Sequence, residues 1–561
     1  MTPRLDLETH LLDCERRFDA DAGLVGMKFK SPECHTRVPG GTWVHAVLYN
    51  FEYAVLALRL GPEDRRQRAL AMLEKLLELQ DRDPLSPFYG VWPWLLEESL
   101  ERMAPPDWNW ADFCGGRIAE ILHESGRLLP EELSARLREA LGHAAGAVFR
   151  RNVGAHYTNI AVMGGGVCAE AGELLGEPRL LDYGRRRLRG VLEHTENHGG
   201  FNEYNSPTYT MVVLTECERI LHLVRDEESR RAAEQLRRMA WRTLAEHFHP
   251  PTGQWAGPHA RAYQDRVDRY LLGQLRERTG LDFAGEVGDP EEVWTGPINR
   301  TVHPLPCPPE YLSAFREPPR GAVQRVFRFI RNKQDDRLSV RGTTWLTPRA
   351  CLGSVSRDVL WSQRHPLIAY WRGNGAPCVV LRLRGLHDGR DFASALVRNA
   401  QAANRVLSAA NLVTDLGDLH YNLDGAGPQG FSVKDLRWRY EISGPGVTAQ
   451  DLGAGRYRLA AGDVAAWIHT LPGNFGPQTV RWELGGEEGR RWLDAVCYSG
   501  AEIRLRPEDV SGARLAAGLE LLEEAAIPSS AGPRWENDRE TASRVSWGDL
   551  ALETPLRSEK Y

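Results

Sequence analysis

The chain has 561 residues, 42% hydrophobic and 26% charged, with a formal net charge of -6. That is too long for one ordinary core and too apolar for extended disorder, so two or three globular domains are expected. A weakly acidic chain has no basic field for phosphate, which excludes a nucleic-acid partner as the main expectation.

In chain order, the first half is written in helical period. Helices are expected over 5–19, 45–60, 92–103, 109–125, 156–175, 178–194, 208–226 and 228–248. Another is marked by Ala69, Met72, Leu73, Leu76 and Leu77 at three- and four-residue steps. Pro130 opens a further one, with Glu131 and Glu132 suiting the helix dipole and Leu133, Leu137, Leu141 and Val148 lining a buried face. No strand is expected before about residue 280. Helical hairpins in a row must bury a face on each neighbour. An incomplete ring of paired helices (an α/α toroid), a bundle and an open solenoid all satisfy this, and periodicity does not choose among them.

Prolines 297, 304, 306, 308, 309, 318 and 319 then crowd one stretch, which reads as a linker. After it the period becomes two. Leu436, Trp438, Tyr440 and Ile442 alternate with Arg437, Arg439 and Glu441, and Leu381 and Leu383 alternate with Arg382 and Arg384. Short strands between turn residues continue to about 550, the pattern of an antiparallel β-sandwich. The expected organisation is a helical domain over 1–285, a proline-rich linker over 286–320 and a sandwich over 321–561.

The first twenty residues are charged and lack the apolar core of a secretory signal, and no apolar run is long enough to span a membrane. The 9 cysteines form no C-x-x-C pair. Both features point to a reducing cytoplasm and away from a zinc ribbon or disulfide scaffold. No metal ligand set and no cofactor motif are legible.

Three stretches concentrate chemistry. Asn197 to Tyr209 (NHGGFNEYNSPTY) packs polar, aromatic and turn residues between two helices. Asn205 or Ser206 reads as the cap of the next helix with Pro207 in its first turn, which leaves Glu203, Tyr204 and Tyr209 free to face a cleft. His156-Tyr157-Thr158-Asn159 opens the helix that carries Gly164, Gly165 and Gly166. No Lys-Ser/Thr follows, so close helix packing explains these glycines better than phosphate binding. Asn159 is a poor helix former just inside that helix, so a hydrogen-bond partner or a ligand should hold it. Trp255 to Asp265 sets His259, Arg261, Tyr263 and Asp265 at two-residue steps. His259 can move protons near neutral pH and Arg261 can hold a carboxylate; an Arg–Asp ion pair with a buried histidine is the structural alternative. Trp92, Trp94, Asp107 and Trp108, and in the second half Trp361, Gln363, Arg364 and His365, offer flat faces and polar edges suited to sugars, although core packing explains any single Trp equally well.

Helical domain, linker and β-sandwich in this order, with these three stretches, resemble the heparinase II/III-like and alginate-lyase-like polysaccharide lyases. The resemblance covers most of the chain as architecture and three short stretches as motif. It implies an Asn that neutralises a uronate carboxylate, corresponding to Asn159, and a Tyr acid or base in a Ser-Pro-x-Tyr loop, corresponding to Tyr209. It implies a His and an Arg completing the site, corresponding to His259 and Arg261. Glu203 joins this catalytic set, and His156, Tyr204, Asn205, Tyr263, Trp92, Trp94, Trp108, Trp361 and His365 are the expected sugar contacts. The family's His-rich stretch in the sandwich has no equivalent, since His365 and His420 stand alone.

The expected reaction is therefore β-elimination on a uronic-acid-containing glycan, without metal or cofactor, by a cytoplasmic enzyme that acts on an imported oligosaccharide, with a second copy of the chain (a homodimer) as the one protein partner considered. The first alternative is a glycoside hydrolase using Glu203 with Asp265 or Asp107. The second is a carbohydrate-binding protein without turnover.

Overall fold

A computed structural model of the chain describes residues 7–31, 34–283, 303–330, 339–361, 363–373, 375–417, 427, 429–523, 526–536 and 540–561. His420, Pro297 and the first part of the expected linker lie outside the described residues.

The helical part contains α1 (Leu7–Arg16), α2 (Val47–Leu60), α3 (Glu63–Glu78), α4 (Trp110–Glu124), α5 (Glu131–Arg151), α6 (Thr158–Leu175), α7 (Pro178–His198), α8 (Pro207–Leu223), α9 (Glu227–His247) and α10 (Arg269–Thr279). Four of them, α2, α4, α6 and α8, pack in succession as an inner row. An outer row of α3, α5, α7 and α9 covers them, each outer helix also touching the next. This two-layer arc is an incomplete α/α toroid. The sequence explains the division. Inner α6 is buried on every side from Thr158 to Gly172, whereas outer α9 buries only a stripe (Ala232, Ala233, Leu236, Ala240, Trp241, Leu244) and leaves its charged face to solvent.

The three glycines of α6 set the spacing. A Cβ on Gly164 would strike Asp112 of α4 and Val148 of α5, one on Gly165 would strike Leu188 of α7, and one on Gly166 would strike Ile220 of α8. Each successive glycine thus admits a different neighbouring helix.

Two expectations are corrected here. Residues 92–103 form no helix. Trp92 precedes Pro93, which disfavours helical backbone, and the segment instead runs alongside the entry to α2, with Val47 N–H donating to the Trp94 carbonyl at 2.9 Å and Leu96 N–H to that of His45 at 3.0 Å. The helical half also carries strands, all two residues long, paired as Phe18–Asp19 with Leu24–Val25, Met27–Lys28 with Trp43–Val44 and Phe248–His249 with Gln254–Trp255. The described end of the proline-rich stretch is not bare chain either: it contains a short helix, α11 (Leu312–Arg316), whose Phe315 packs on Trp241 and Phe248.

The core of the second half is two antiparallel sheets packed face to face, with a small sheet of Arg534–Trp535, Ala542–Trp547 and Leu550–Pro555 and a short pair of Asn474–Phe475 with Gln478–Thr479 outside them. One orders Arg357–Val359, Ala395–Ala402, Arg405–Leu412, Ala516–Glu523, Val464–Thr470, Arg456–Ala461 and Thr448–Asp451. The other orders Arg481–Glu487, Arg490–Leu505, Phe431–Ser443, Ala376–His387, Leu367–Gly373, Ala350–Val355, Ser339–Leu346 and Val323–Ile330, with Arg390–Asp391 paired to Ala376–His387. The alternation read in the sequence is the burial observed: Leu381, Leu383, Leu436, Trp438, Tyr440 and Ile442 all enter the core between the sheets.

The sandwich docks on the helical arc through a junction that mixes apolar contacts with hydrogen bonds. His249 Nε2 donates to the Thr347 carbonyl at 2.8 Å, the His247 ring lies 4.5 Å from that of Phe327, and His259 meets His365. Burial holds His247 and His249 down to about 4 and His259 well below the usual imidazole value. In the unfolded chain such groups titrate near 6.5. Between about 4 and 6.5 the unfolded chain therefore binds more protons, so stability is full above 6.5 and is lost as pH falls. Each histidine contributes a loss of about 1.4 kcal/mol per pH unit in that window. Unfolding midpoints measured from pH 7.5 down to 4.5 are expected to fall steeply, and the slope should flatten in His247→Asn, which keeps the hydrogen bond to the Thr243 carbonyl without the titration.

Candidate active site

Each inner helix is followed by its outer partner across a short turn, so successive inner helices run in the same direction. Their N-terminal ends therefore lie at one end of the arc, and the starts of α6 and α8 carry expected site residues there. Asn159 is the second residue of α6 and Tyr209 the third of α8.

Local sequence places Tyr209. Ser206 is the N-cap of α8, its Oγ accepting from Tyr209 N–H at 2.9 Å, and Pro207 fills the first helical position, where a missing N–H costs nothing. Asn205, at φ 45°, takes the left-handed backbone that Asn tolerates. Its buried amide donates to the carbonyls of Ala256 (2.9 Å) and Pro258 (2.7 Å) and accepts from the Trp255 indole. Ser206 Oγ donates to the Arg261 carbonyl at 2.5 Å. The loop before α8 is thus fastened to the loop that carries Arg261.

The result is a cluster drawn from all three stretches. The Tyr209 hydroxyl lies 2.7 Å from that of Tyr263 and accepts from Arg261 Nη2 at 3.3 Å. The Arg261 guanidinium sits 5.2 Å over the Tyr209 ring and 5.6 Å over that of Trp361, and its Nε donates to Gln363 Oε1 at 2.8 Å. Beside it, Glu203 Oε2 accepts from Asn159 Nδ2 at 2.6 Å and from Asn159 N–H at 3.1 Å. Tyr157 was not singled out from the sequence. Its hydroxyl accepts from Asn109 Nδ2 at 3.2 Å, and Asn109 is fixed by Arg151 at 2.6 Å. Its position two residues before Asn159 was the available signal.

Burial dominates the electrostatics. It pushes the Glu203 carboxyl above its usual range, against Arg261 and the two Asn159 hydrogen bonds. It pushes the Tyr209 hydroxyl well above the usual phenol value, with Arg261 opposing and Tyr263, Tyr157 and Glu203 adding to the rise. Burial raises Tyr157 as well, with Glu203 and Asp107 reinforcing it. Both Glu203 and Tyr209 are therefore biased toward their protonated forms.

The other expected residues are placed elsewhere. His259 is 2% exposed and points into the domain junction. Its Nε2 faces the Trp255 carbonyl at 3.0 Å and must donate, so its one lone pair, on Nδ1, is left to His365 Nδ1 at 3.2 Å. His365, 1% exposed, does not stand alone, and its Nε2 faces Arg382 at 3.3 Å. Tyr204 is buried and donates to Asp358 Oδ2 of the sandwich at 2.6 Å, and Asn205 is consumed by its clamp. Trp92 is core, with its indole on the Leu76 carbonyl and its ring edge on Phe51. Trp94 is buried between His35 and Trp110, and Trp361 lies buried beneath Arg261. Trp108, in contrast, is exposed and lines a surface pocket of about 270 Å³ with Tyr89, Arg150 and Arg151. His156 is half-buried just ahead of α6. Asp265 pairs with Arg382 and lies 3.4 Å from His365. Burial opposes its ionisation, but Arg382, with His365, Arg384 and Arg266, outweighs it and holds the carboxyl below its usual range. Asp107 is buried, and burial raises it against His35, Asn109 N–H and Arg151.

Replacing Asn205 by Ala strands two buried carbonyls and an indole N–H and leaves a β-carbon at positive φ. A loss of about 3 kcal/mol or more is expected from urea unfolding of Asn205→Ala.

Residues 30–274 match a family model described as a domain of unknown function (DUF8769). No curated protein matches the sequence. Among solved structures, the chain is similar to the chondroitin AC lyase of Streptomyces coelicolor A3 solved in complex with chondroitin sulphate (12% identity, TM-score 0.49, covering 97% of this chain and 84% of that one). It is also similar to a heparinase III (11%, TM-score 0.45, 99% and 92%) and to the heparan sulfate lyase HepC of Pedobacter heparinus (10%, TM-score 0.36, 91% and 82%).

Proposed function

We propose that the protein is a lyase that cleaves a uronic-acid-containing oligosaccharide by β-elimination. The observation that carries this reading is the Tyr209 hydroxyl held between Arg261 and Tyr263, next to the Asn159–Glu203 pair. Elimination needs the substrate carboxylate neutralised, the C5 proton removed and the departing O4 protonated. Asn159 and Arg261 supply donors for the carboxylate, and a protonated Glu203 adds a third; such contacts strengthen as charge moves onto the carboxylate in the transition state. Tyr209, ionised by release of its proton to solvent and held as the anion by Arg261 and the Tyr263 hydroxyl, takes the C5 proton. The C4–O4 bond breaks as the C4–C5 double bond forms, and Tyr209 returns the proton to O4. His259 has no role in this scheme because its lone pair is committed to His365. The exposed Trp108 face and the arginines of its pocket offer a subsite for an acidic sugar.

A hydrolase remains as a second reading because burial raises both Glu203 and Asp107, and both act on Tyr157. Asp265 drops out of that pair because Arg382 keeps it ionised. Incubation with a panel of uronate oligosaccharides, following ultraviolet absorbance and new reducing ends together, separates the readings. Absorbance rising with reducing ends supports the lyase, reducing ends alone support the hydrolase, and binding without either supports a non-catalytic sugar binder. For the lyase, Tyr209→Phe is expected to lower kcat by about 10²–10⁴-fold. Glu203→Gln, which still pairs with Asn159 and still donates, should stay within about tenfold of the parent. A dead Glu203→Gln beside an active Tyr209→Phe reverses the assignment.

A further inference from the structure

At the opposite end of the helical arc, three side chains from three elements converge. Glu124 is the last residue of α4, His222 lies in the last turn of α8, and His303 lies on the segment that leads from the helical part to the sandwich. One ligand atom from each falls within 4.8 Å of the others. We propose that these residues form a divalent-metal site of the zinc type, one that fastens the 303 segment to the ends of α4 and α8.

The geometry fits a shared ion. Glu124 Oε1 lies 3.1 Å from His222 Nε2 and 3.0 Å from His303 Nε2. Nitrogen and oxygen ligands about 2.0–2.1 Å from one zinc ion stand about 2.9–3.4 Å apart, depending on whether the angle at the metal is square or tetrahedral. The ligand set, two imidazoles and a carboxylate, is one zinc accepts. The second carboxylate oxygen is already occupied. Arg59 Nε donates to Glu124 Oε2 at 2.8 Å and Nη2 to the same atom at 2.5 Å, which turns Oε1 toward the histidines as an outer-shell partner does for a metal ligand. The His222 and His303 side chains are 42% and 47% exposed, so an ion enters from solvent and water completes its coordination. The C-terminal ends of α2, α4 and α8 meet here, and their partial negative charge favours a cation.

The role is structural. Tyr209 and His222 are thirteen residues apart on one helix, about 20 Å, so an ion here touches nothing in the proposed reaction. The competing account is a metal-free cluster in which both imidazoles donate Nε2–H to one oxygen.

Full-length protein stripped with chelator and titrated with zinc chloride by calorimetry decides between them. The expected result is about one zinc per chain, confirmed by elemental analysis after dialysis, and a Tm raised by zinc. In His222→Asn/His303→Asn, which keeps polar groups near Glu124, the affinity should fall by at least about tenfold and the Tm response should vanish. Circular dichroism checks that the double variant is folded, and the single variant His303→Asn, on the covering segment, serves if it is not. Failure of the parent to bind zinc, or equal binding by parent and variant, overturns the site.

Discussion

The geometry of the candidate site depends on one buried amide. Asn205 holds the carbonyls of Ala256 and Pro258 while the Trp255 indole holds Asn205, and this reciprocal grip ties the entry to α8 to the loop that delivers Arg261. The same loop is pressed from its other side by the sandwich. Thr344 Oγ1 donates to the Gly257 carbonyl at 2.6 Å, and a Cβ on Gly353 would lie 1.8 Å from that same oxygen. A Cβ on Gly257 would in turn strike Ile368. The loop therefore fits only with glycine on both sides of the contact, and the position of Arg261 against Tyr209 is set by how the two domains pack. Site geometry and domain docking are one constraint, and the junction meets it with apolar packing of Ala256 and Ala260 on the sandwich together with directed hydrogen bonds.

The inner row adds an electrostatic bias. Its helices run in parallel, so their positive dipole ends share the end of the arc that carries Asn159 and Tyr209 and favour an acidic ligand there. Parallel dipoles side by side repel, and the helical interior answers with buried charge. Arg219, 1% exposed, donates to Glu216 at 2.9 Å and to Glu170, while Arg278 donates to Glu218 at 3.1 Å. Such networks cost desolvation and gain little net stability, but they fix the register between helices that apolar contacts alone leave free to slide. Together with Gly164, Gly165 and Gly166 they hold Asn159 and Tyr209, on neighbouring helices, at the same end of the arc.

Periodicity made most of the architecture legible because burial follows period: three- and four-residue steps in the arc, two-residue steps in the sandwich. The Ser206-Pro207 start of α8 was legible for the same reason, being local chemistry. Trp92 to Met103 failed because apolar content was read as helix while Pro93 and the pairing to α2 override it. Within the site, Asn159, Glu203, Tyr209, Arg261 and Tyr263 come together, but His259 does not follow its neighbours at two-residue spacing. The chain from Gly257 to Tyr263 is an irregular loop pinned between domains, so strand alternation does not govern which way its side chains point. Partners that decide a residue's fate were invisible for a different reason: His365 lies 106 positions from His259, and His222 and His303 lie 98 and 179 positions from Glu124. No spacing motif survives such separations.

On the proposed reading, the protonation state of Glu203 governs how readily Tyr209 ionises. Burial raises both groups, the Glu203 charge adds to the rise of Tyr209, and Arg261 draws both down. A protonated Glu203 removes that added anion and leaves Arg261 to act on the phenol, so the neutral carboxyl that can donate to a substrate carboxylate also eases ionisation of the base beside it. A neutral amide at the same position does the same two things. Asn159, by holding Glu203 through both its side chain and its backbone N–H, keeps that group in place.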